Sequence, residues 1–208
     1  MRSIAFLSQK GGSGKTTLAV HMAVAAVSKR ERSILIDTDP QGSASVWGDA
    51  RRAGEPQVIK STAPSLRTLM QQDLVGSMAE LAVIDTAPHT ISGIDIIAAA
   101  VDYLLIPCRP SVFDLAAIES SVKIAKAAKK PAAFILNACA ARGPEVEQAK
   151  EVLVKHGYPV APVTIGDRKA FSRAIITGEA VTEFDAHGKA AHEIIALWRW
   201  IKKQIGGK

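Results

Sequence analysis

The sequence predicts an α/β protein: a doubly wound, mostly parallel sheet with helices on both faces. Three observations predict it. Short apolar runs alternate with helical patterns along nearly the whole chain. The runs are continuously apolar, which marks strands buried on both sides. A glycine-rich turn joins the first run to a helix, the arrangement that opens a phosphate-binding βα unit. At 208 residues the chain is long enough to build such a three-layer core as one domain, residues 1–208.

The strand candidates are Ile4–Leu7, Ile34–Ile36, Leu81–Ile84, Tyr103–Ile106, Ala133–Leu136 and Val160–Val163. Helical patterns lie near 16–29, 43–52, 64–79, 92–100, 112–129, 144–156, 168–177 and 188–205. Aromatic residues make up only 5% of the chain, so Ala, Val, Ile and Leu must fill the core. Small residues of that kind let helices pack closely on a sheet. No run approaches the roughly 18 apolar residues a bilayer-spanning helix needs, and the N-terminus reads as a strand without a signal-peptide pattern.

The first strand, Ile4-Ala5-Phe6-Leu7, runs into Gln9-Lys10-Gly11-Gly12-Ser13-Gly14-Lys15-Thr16-Thr17. Glycines at 11, 12 and 14 open backbone conformations closed to other residues, so successive N–H groups can point at one anion. The positive end of the following helix adds to that field. Lys15 can reach β- and γ-phosphates, and Thr16 offers a hydroxyl to Mg²⁺. A nucleoside triphosphate site follows. One departure from the G-x-x-x-x-G-K-[ST] pattern is informative: position 9 is Gln rather than Gly, and an additional lysine stands at 10. Two lysines beside one triphosphate crowd positive charge unless the second serves another nucleotide or acts at the transition state.

The second strand ends in Asp37, within Asp37-Thr38-Asp39-Pro40-Gln41-Gly42, and the third ends in Asp85, within Asp85-Thr86-Ala87-Pro88. In a doubly wound sheet ligands bind beyond the strand ends, so all three motifs converge on one crevice. A carboxylate closing a buried strand beside a phosphate loop holds Mg²⁺ directly or through water. Asp85 takes that role, with Asp37 supporting it. Asp39, past the strand end, can orient an attacking water, or Asp39-Pro40 can begin a turn and cap the helix from about Ser43; both can hold at once.

Taken together, Lys10-Gly-Gly-Ser-Gly-Lys15-Thr16-Thr17, Asp37-Thr-Asp39-Pro40-Gln41-Gly and Asp85-Thr-Ala-Pro88 resemble the deviant Walker A ATPases of the MinD–ParA superfamily. The resemblance is closest to ParA partition proteins of the small type, of which ParF is an example, and runs from about residue 1 to 205. It includes Pro107 after a strand and the stretch Phe171…Gly178…Ala180-Val181. It implies an ATPase with ATP and Mg²⁺ as ligands and a homodimer that sandwiches two ATP molecules. Lys10 of each subunit would reach the partner's phosphates, which would resolve the charge crowding. It further implies non-specific DNA binding by the closed dimer, stimulation of hydrolysis by a centromere-binding, ParB-like partner, and a cargo moved over the nucleoid in the cytoplasm. Cargo-positioning ATPases, for carboxysomes or chemoreceptor clusters, resemble the same proteins and form the alternative. Asn137, after Ile135-Leu136, matches an asparagine that contacts adenine in the family, although Ala138 stands where arginine is common; it can equally cap the next turn.

The remaining features are weaker. Cys108 and Cys139 fit no zinc spacing and read as buried small hydrophobes of a reducing compartment. The formal net charge is +6. Residues 1–60 hold 9 Lys/Arg against 5 Asp/Glu, 61–141 hold 6 against 7, and 142–208 hold 11 against 8, so the excess sits at the two ends. For DNA the candidates are Arg168, Lys169 and Arg173, with Arg199, Lys202 and Lys203 in the last helix. That helix also carries Ile194, Leu197, Trp198, Ile201 and Ile205 on one face, which reads as a docking face for the sheet. A membrane-binding tail of the MinD kind is the rival reading.

Overall fold

The computed structural model describes residues 1–72, 79–88 and 93–206. Six strands form one sheet: β1 (Arg2–Phe6), β2 (Ser33–Asp37), β3 (Gln57–Lys60), β4 (Leu81–Asp85), β5 (Tyr103–Cys108) and β6 (Ala132–Leu136). Their order is β3-β2-β4-β1-β5-β6, and every pairing is parallel. The helices are α1 (Lys15–Val27), α2 (Ser43–Ala50), α3 (Ala63–Gln71), α4 (Ile94–Ala100), α5 (Val112–Ala127), α6 (Glu145–Leu153), α7 (Lys169–Ile176), α8 (Val181–Phe184) and α9 (Lys189–Gly206). The predicted helix over 64–79 is present as α3; its later residues and position 92 fall outside the described residues.

The alternation of side chains along each strand divides the core into two layers. Ile4, Phe6, Leu35, Val83, Leu105 and Ile135 face α1, α2 and α9. Ala5, Leu7, Ile34, Ile36, Ile84, Ile106 and Phe134 face α3 to α6. Strands wedged between two helical layers must be apolar at every position, which is why they read as unbroken runs. Ile194, Leu197, Trp198 and Ile201 of α9 are buried in the first layer, so the last helix docks on the sheet and its apolar face is covered.

Two elements differ from the sequence reading. β3 was not expected. Its Gln57-Val58-Ile59-Lys60 has only two apolar residues because it is an edge strand, half-exposed. Val160–Val163 is not a strand: it contributes one isolated bridge, Phe134 to Val160. After that bridge the chain leaves β6, and Ile165 N, not Val163 N, donates to the Leu136 carbonyl at 2.9 Å, the acceptor that the next ladder step would use.

The order places β1 between β4 and β5, with β2 beyond β4, so the C-terminal ends of β2, β4 and β1 lie side by side. Side chains stitch those ends together. Thr38 donates from both its backbone N (3.0 Å) and its Oγ1 (2.6 Å) to the Asp85 carbonyl. Thr86 Oγ1 donates to the Phe6 carbonyl at 2.6 Å. The loops leaving the three strands are therefore fixed relative to one another.

Candidate functional site

The loop after β1 wraps the start of α1. Gly14 is the N-cap of that helix with φ 97° and Gly12 has φ 73°, left-handed conformations that explain glycine at both positions. Among the described residues no side chain caps α1, which leaves its first N–H groups to an anion. Gly11 lies against Pro88: a Cβ there would be 3.9 Å from the proline Cβ, which brings the Asp85 motif to the phosphate loop.

Lys15 is buried, with its ammonium 3.4 Å from the Lys10 carbonyl. Burial lowers its pKa, while Asp85 and Asp39 act in the opposite direction. Asp85 is fully buried, and among the described residues neither of its oxygens makes a hydrogen bond of ordinary geometry. Burial pushes its carboxyl up to about 7, with Asp37 and Asp39 adding to the rise and the Thr16 hydroxyl and Lys15 opposing it. An orphaned buried carboxylate beside a threonine hydroxyl and a helix N-terminus is what a hard divalent cation requires, so the residues present fit Mg²⁺.

Asp37 is satisfied internally. Its Oδ2 accepts from Ser45 N (2.8 Å) and Ser45 Oγ (2.7 Å), and its Oδ1 from Asp39 N (3.1 Å). It thereby pins α2 and the loop before it, a supporting position. Asp39 is half-buried. Its Oδ1 accepts from Gln41 N at 2.9 Å, and Gly42, in a left-handed conformation, is the N-cap of α2. Asp39 serves its own turn and does not cap the helix.

Lys10 Nζ lies 2.9 Å from Asp114 Oδ2. Asp114 sits in the first turn of α5, where its N donates to Ser111 Oγ (3.2 Å) and its carboxylate accepts from the same hydroxyl. Val112 and Phe113, in the same turn, are 80% and 82% exposed. The sequence reading missed Asp114; Ser111-Val-Phe-Asp114 carries a helix-start signal that could have found the cap, though not its pairing with Lys10. Asn137 Nδ2 donates to the Ser13 carbonyl at 2.8 Å, so the asparagine is engaged with the phosphate loop.

The DNA candidates separate. Arg168 is forked onto Glu193, with Nη2 2.5 Å from Oε1, and Lys202 is paired with Glu31. Lys169 and Arg173 are exposed one turn apart on α7, and Arg199 and Lys203 are exposed one turn apart on α9. Cys108 and Cys139 are buried free thiols, raised by burial to about 12 and about 11, and remain protonated.

A profile of the CobQ/CobB/MinD/ParA nucleotide binding domain matches residues 4–181. The chain belongs to this family. It is 31% identical to the maintenance of carboxysome distribution protein A of Gloeobacter kilaueensis, over 98% of this chain and 94% of that protein. It is 36% identical to the chromosome partitioning protein ParA of Caulobacter vibrioides, over 49% of this chain and 33% of that protein. The MinC:MinD cell division protein complex of Aquifex aeolicus has the same fold, with TM-score 0.80 at 15% identity over 97% of this chain and 96% of that one. This ParA/MinD family member therefore has the doubly wound, parallel nucleotide-binding fold that its sequence predicts.

Proposed function

We propose that this ParA/MinD family protein is an ATPase that positions a cargo, and that the cargo is a protein compartment rather than a chromosome or plasmid. The observation that carries the choice is identity sustained over the full length. It is 31% over 98% of this chain for the carboxysome distribution protein of Gloeobacter kilaueensis, against 26% over 83% for Protein ParA of Rhizobium radiobacter, while the 36% match to the Caulobacter partition protein covers about half. The alternative reading of the sequence is thus better supported than the partition reading placed first, and a centromere-binding, ParB-like partner gives way to one carried by the compartment.

The chemistry assigned to the site follows from its geometry. The N–H groups of residues 11–16 and Lys15 would hold the phosphates of ATP. Thr16 and Asp85 would hold Mg²⁺, with Asp37 behind them, and Thr17 would continue the helix start. Magnesium, when bound, supplies charge compensation at the phosphate oxygens. Asp39, with Oδ2 outside the bonds that build its turn, would orient water toward the γ-phosphate. Lys10 would leave Asp114 and reach the nucleotide of a second copy, closing a dimer. Closure doubles the exposed cations of α7 and α9, so binding to the phosphate backbone of DNA would rise with it.

The test has two parts. Lys15→Ala should abolish ATP binding, and Asp39→Ala should bind ATP and pair while losing most hydrolysis. In the host, loss of the gene should cluster or misplace protein compartments and leave DNA inheritance intact. Normal compartment spacing with failed DNA inheritance would return the partition reading.

A further inference from the structure

Asn137 follows the last residue of β6 and reaches the phosphate loop of β1, two strands away. Its Nδ2 donates to the Ser13 carbonyl at 2.8 Å. The orientation is forced, because a carbonyl only accepts and the amide NH₂ must face it. The backbone around Asn137 is fixed on both sides: Asn137 N donates to the Cys108 carbonyl and Cys139 N to the Ile165 carbonyl, each at 2.9 Å. Between them Ala138 is left-handed, φ 51°, an uncommon state for a residue with a Cβ. The chain turns sharply there, immediately after the side chain that reaches the loop.

The loop is shaped to receive it. A Cβ on Gly14 would lie 2.0 Å from Asn137 Nδ2, so the side chain occupies space that only glycine leaves. The bond is to the carbonyl of the Ser13–Gly14 peptide. A trans peptide is planar, with its C=O and N–H on opposite edges. Holding the carbonyl toward β6 turns the Gly14 N–H the other way, and that N–H makes no backbone hydrogen bond among the described residues.

We infer that Asn137 is a positioning residue for the phosphate loop: it sets the Ser13–Gly14 peptide so that the Gly14 N–H faces the phosphates. This rests on the reading of residues 10–17 as a triphosphate site. It differs from a base contact in a measurable way, since a brace affects every ligand that carries the phosphates and a base contact only those that carry adenine.

The experiment titrates ATP and inorganic tripolyphosphate into the full chain and two variants. Asn137→Asp puts an acceptor against the Ser13 carbonyl at almost unchanged shape. Asn137→Ser removes the reach without adding charge and serves if the first variant does not fold. Both ligands should lose affinity by the same factor, about tenfold. Amide exchange of residues 12–16 should accelerate while that of Ala133–Leu136 stays unchanged, a split that general loss of stability would not produce. A fall for ATP with tripolyphosphate unaffected would overturn the inference in favour of base reading. Unchanged affinity for both ligands would overturn it outright. A parent protein that binds neither ligand would instead remove the phosphate reading of the loop, and the inference with it.

Discussion

Lys10 is tied to Asp114, 104 positions away, at 2.9 Å, and the carboxylate is only 8% exposed while the lysine is 37% exposed. In this subunit, then, the lysine beside the phosphate loop is held by the first turn of α5. Asp114→Asn should release it. Because the pair is partly solvated, the cost to stability should be about 1 kcal/mol or less. Under the dimer reading, the variant should pair at lower protein concentration with a non-hydrolysable ATP analogue, measured by analytical ultracentrifugation. Lys10→Ala should bind nucleotide yet fail to pair. Unchanged pairing in both would leave the Lys10–Asp114 contact without a role in association.

His21 in α1 is fully buried, stacks on Phe171 with ring centroids 5.1 Å apart, and among the described residues has no hydrogen bond to either nitrogen. Burial lowers its pKa from 6.5 to about 3, opposed by Glu183. The folded protein therefore prefers neutral His21, and the penalty for charging it grows as pH falls from 6.5 towards 3. At pH 5 this amounts to about 2 kcal/mol. His21→Leu should flatten the decline in thermal midpoint between pH 7 and pH 5. An equally steep decline in the variant would place the acid sensitivity elsewhere.

Removing the orphaned carboxylate should separate stability from ligand binding. Asp85→Asn takes away a carboxylate at zero exposure whose oxygens, among the described residues, make no hydrogen bond of ordinary geometry. Since its folded pKa is raised, the stabilisation from this variant should be absent near pH 4, appear as pH rises, and reach a few kcal/mol by pH 8, about 5–10 °C in midpoint. Mg²⁺-dependent nucleotide binding should weaken in the same variant. Lower stability at pH 8 would contradict the burial argument.

Gly178 tests the packing between α7 and α2. It has φ 71°, and a Cβ there would lie 2.5 Å from the Ala50 carbonyl oxygen, a backbone atom that cannot swing aside. Gly178→Ala should cost about 2–4 kcal/mol and lower the midpoint by roughly 5–15 °C in differential scanning calorimetry. A midpoint within about 2 °C of the parent, below the roughly 4 °C that the smallest such cost implies, would show that α7 can move away.

What the sequence made legible was local. β1, β2, β4, β5 and β6 are recognisable because burial on both faces demands apolar residues at every position. Edge strand β3 lacks that demand, and Val160–Val163 is apolar throughout yet pairs through a single bridge. The phosphate loop and the Asp37 and Asp85 motifs are each contained in a few consecutive residues, and the parallel topology brings them together. Asp114 escaped because its meaning lies in contact with Lys10 across the fold. Arg168 looked like a free cation for the same reason: Glu193, which neutralises it, lies on another element.

The first turn of α5 leaves a valine and a phenylalanine almost wholly in water. Hydration of two such side chains is a standing cost of about 3–5 kcal/mol, by the usual cost of leaving an apolar side chain uncovered. Folding of the isolated chain does nothing to lower it. Any assembly that shelters Val112 and Phe113 begins with that much in its favour, and a polar replacement such as Phe113→Ser would make solitude comfortable.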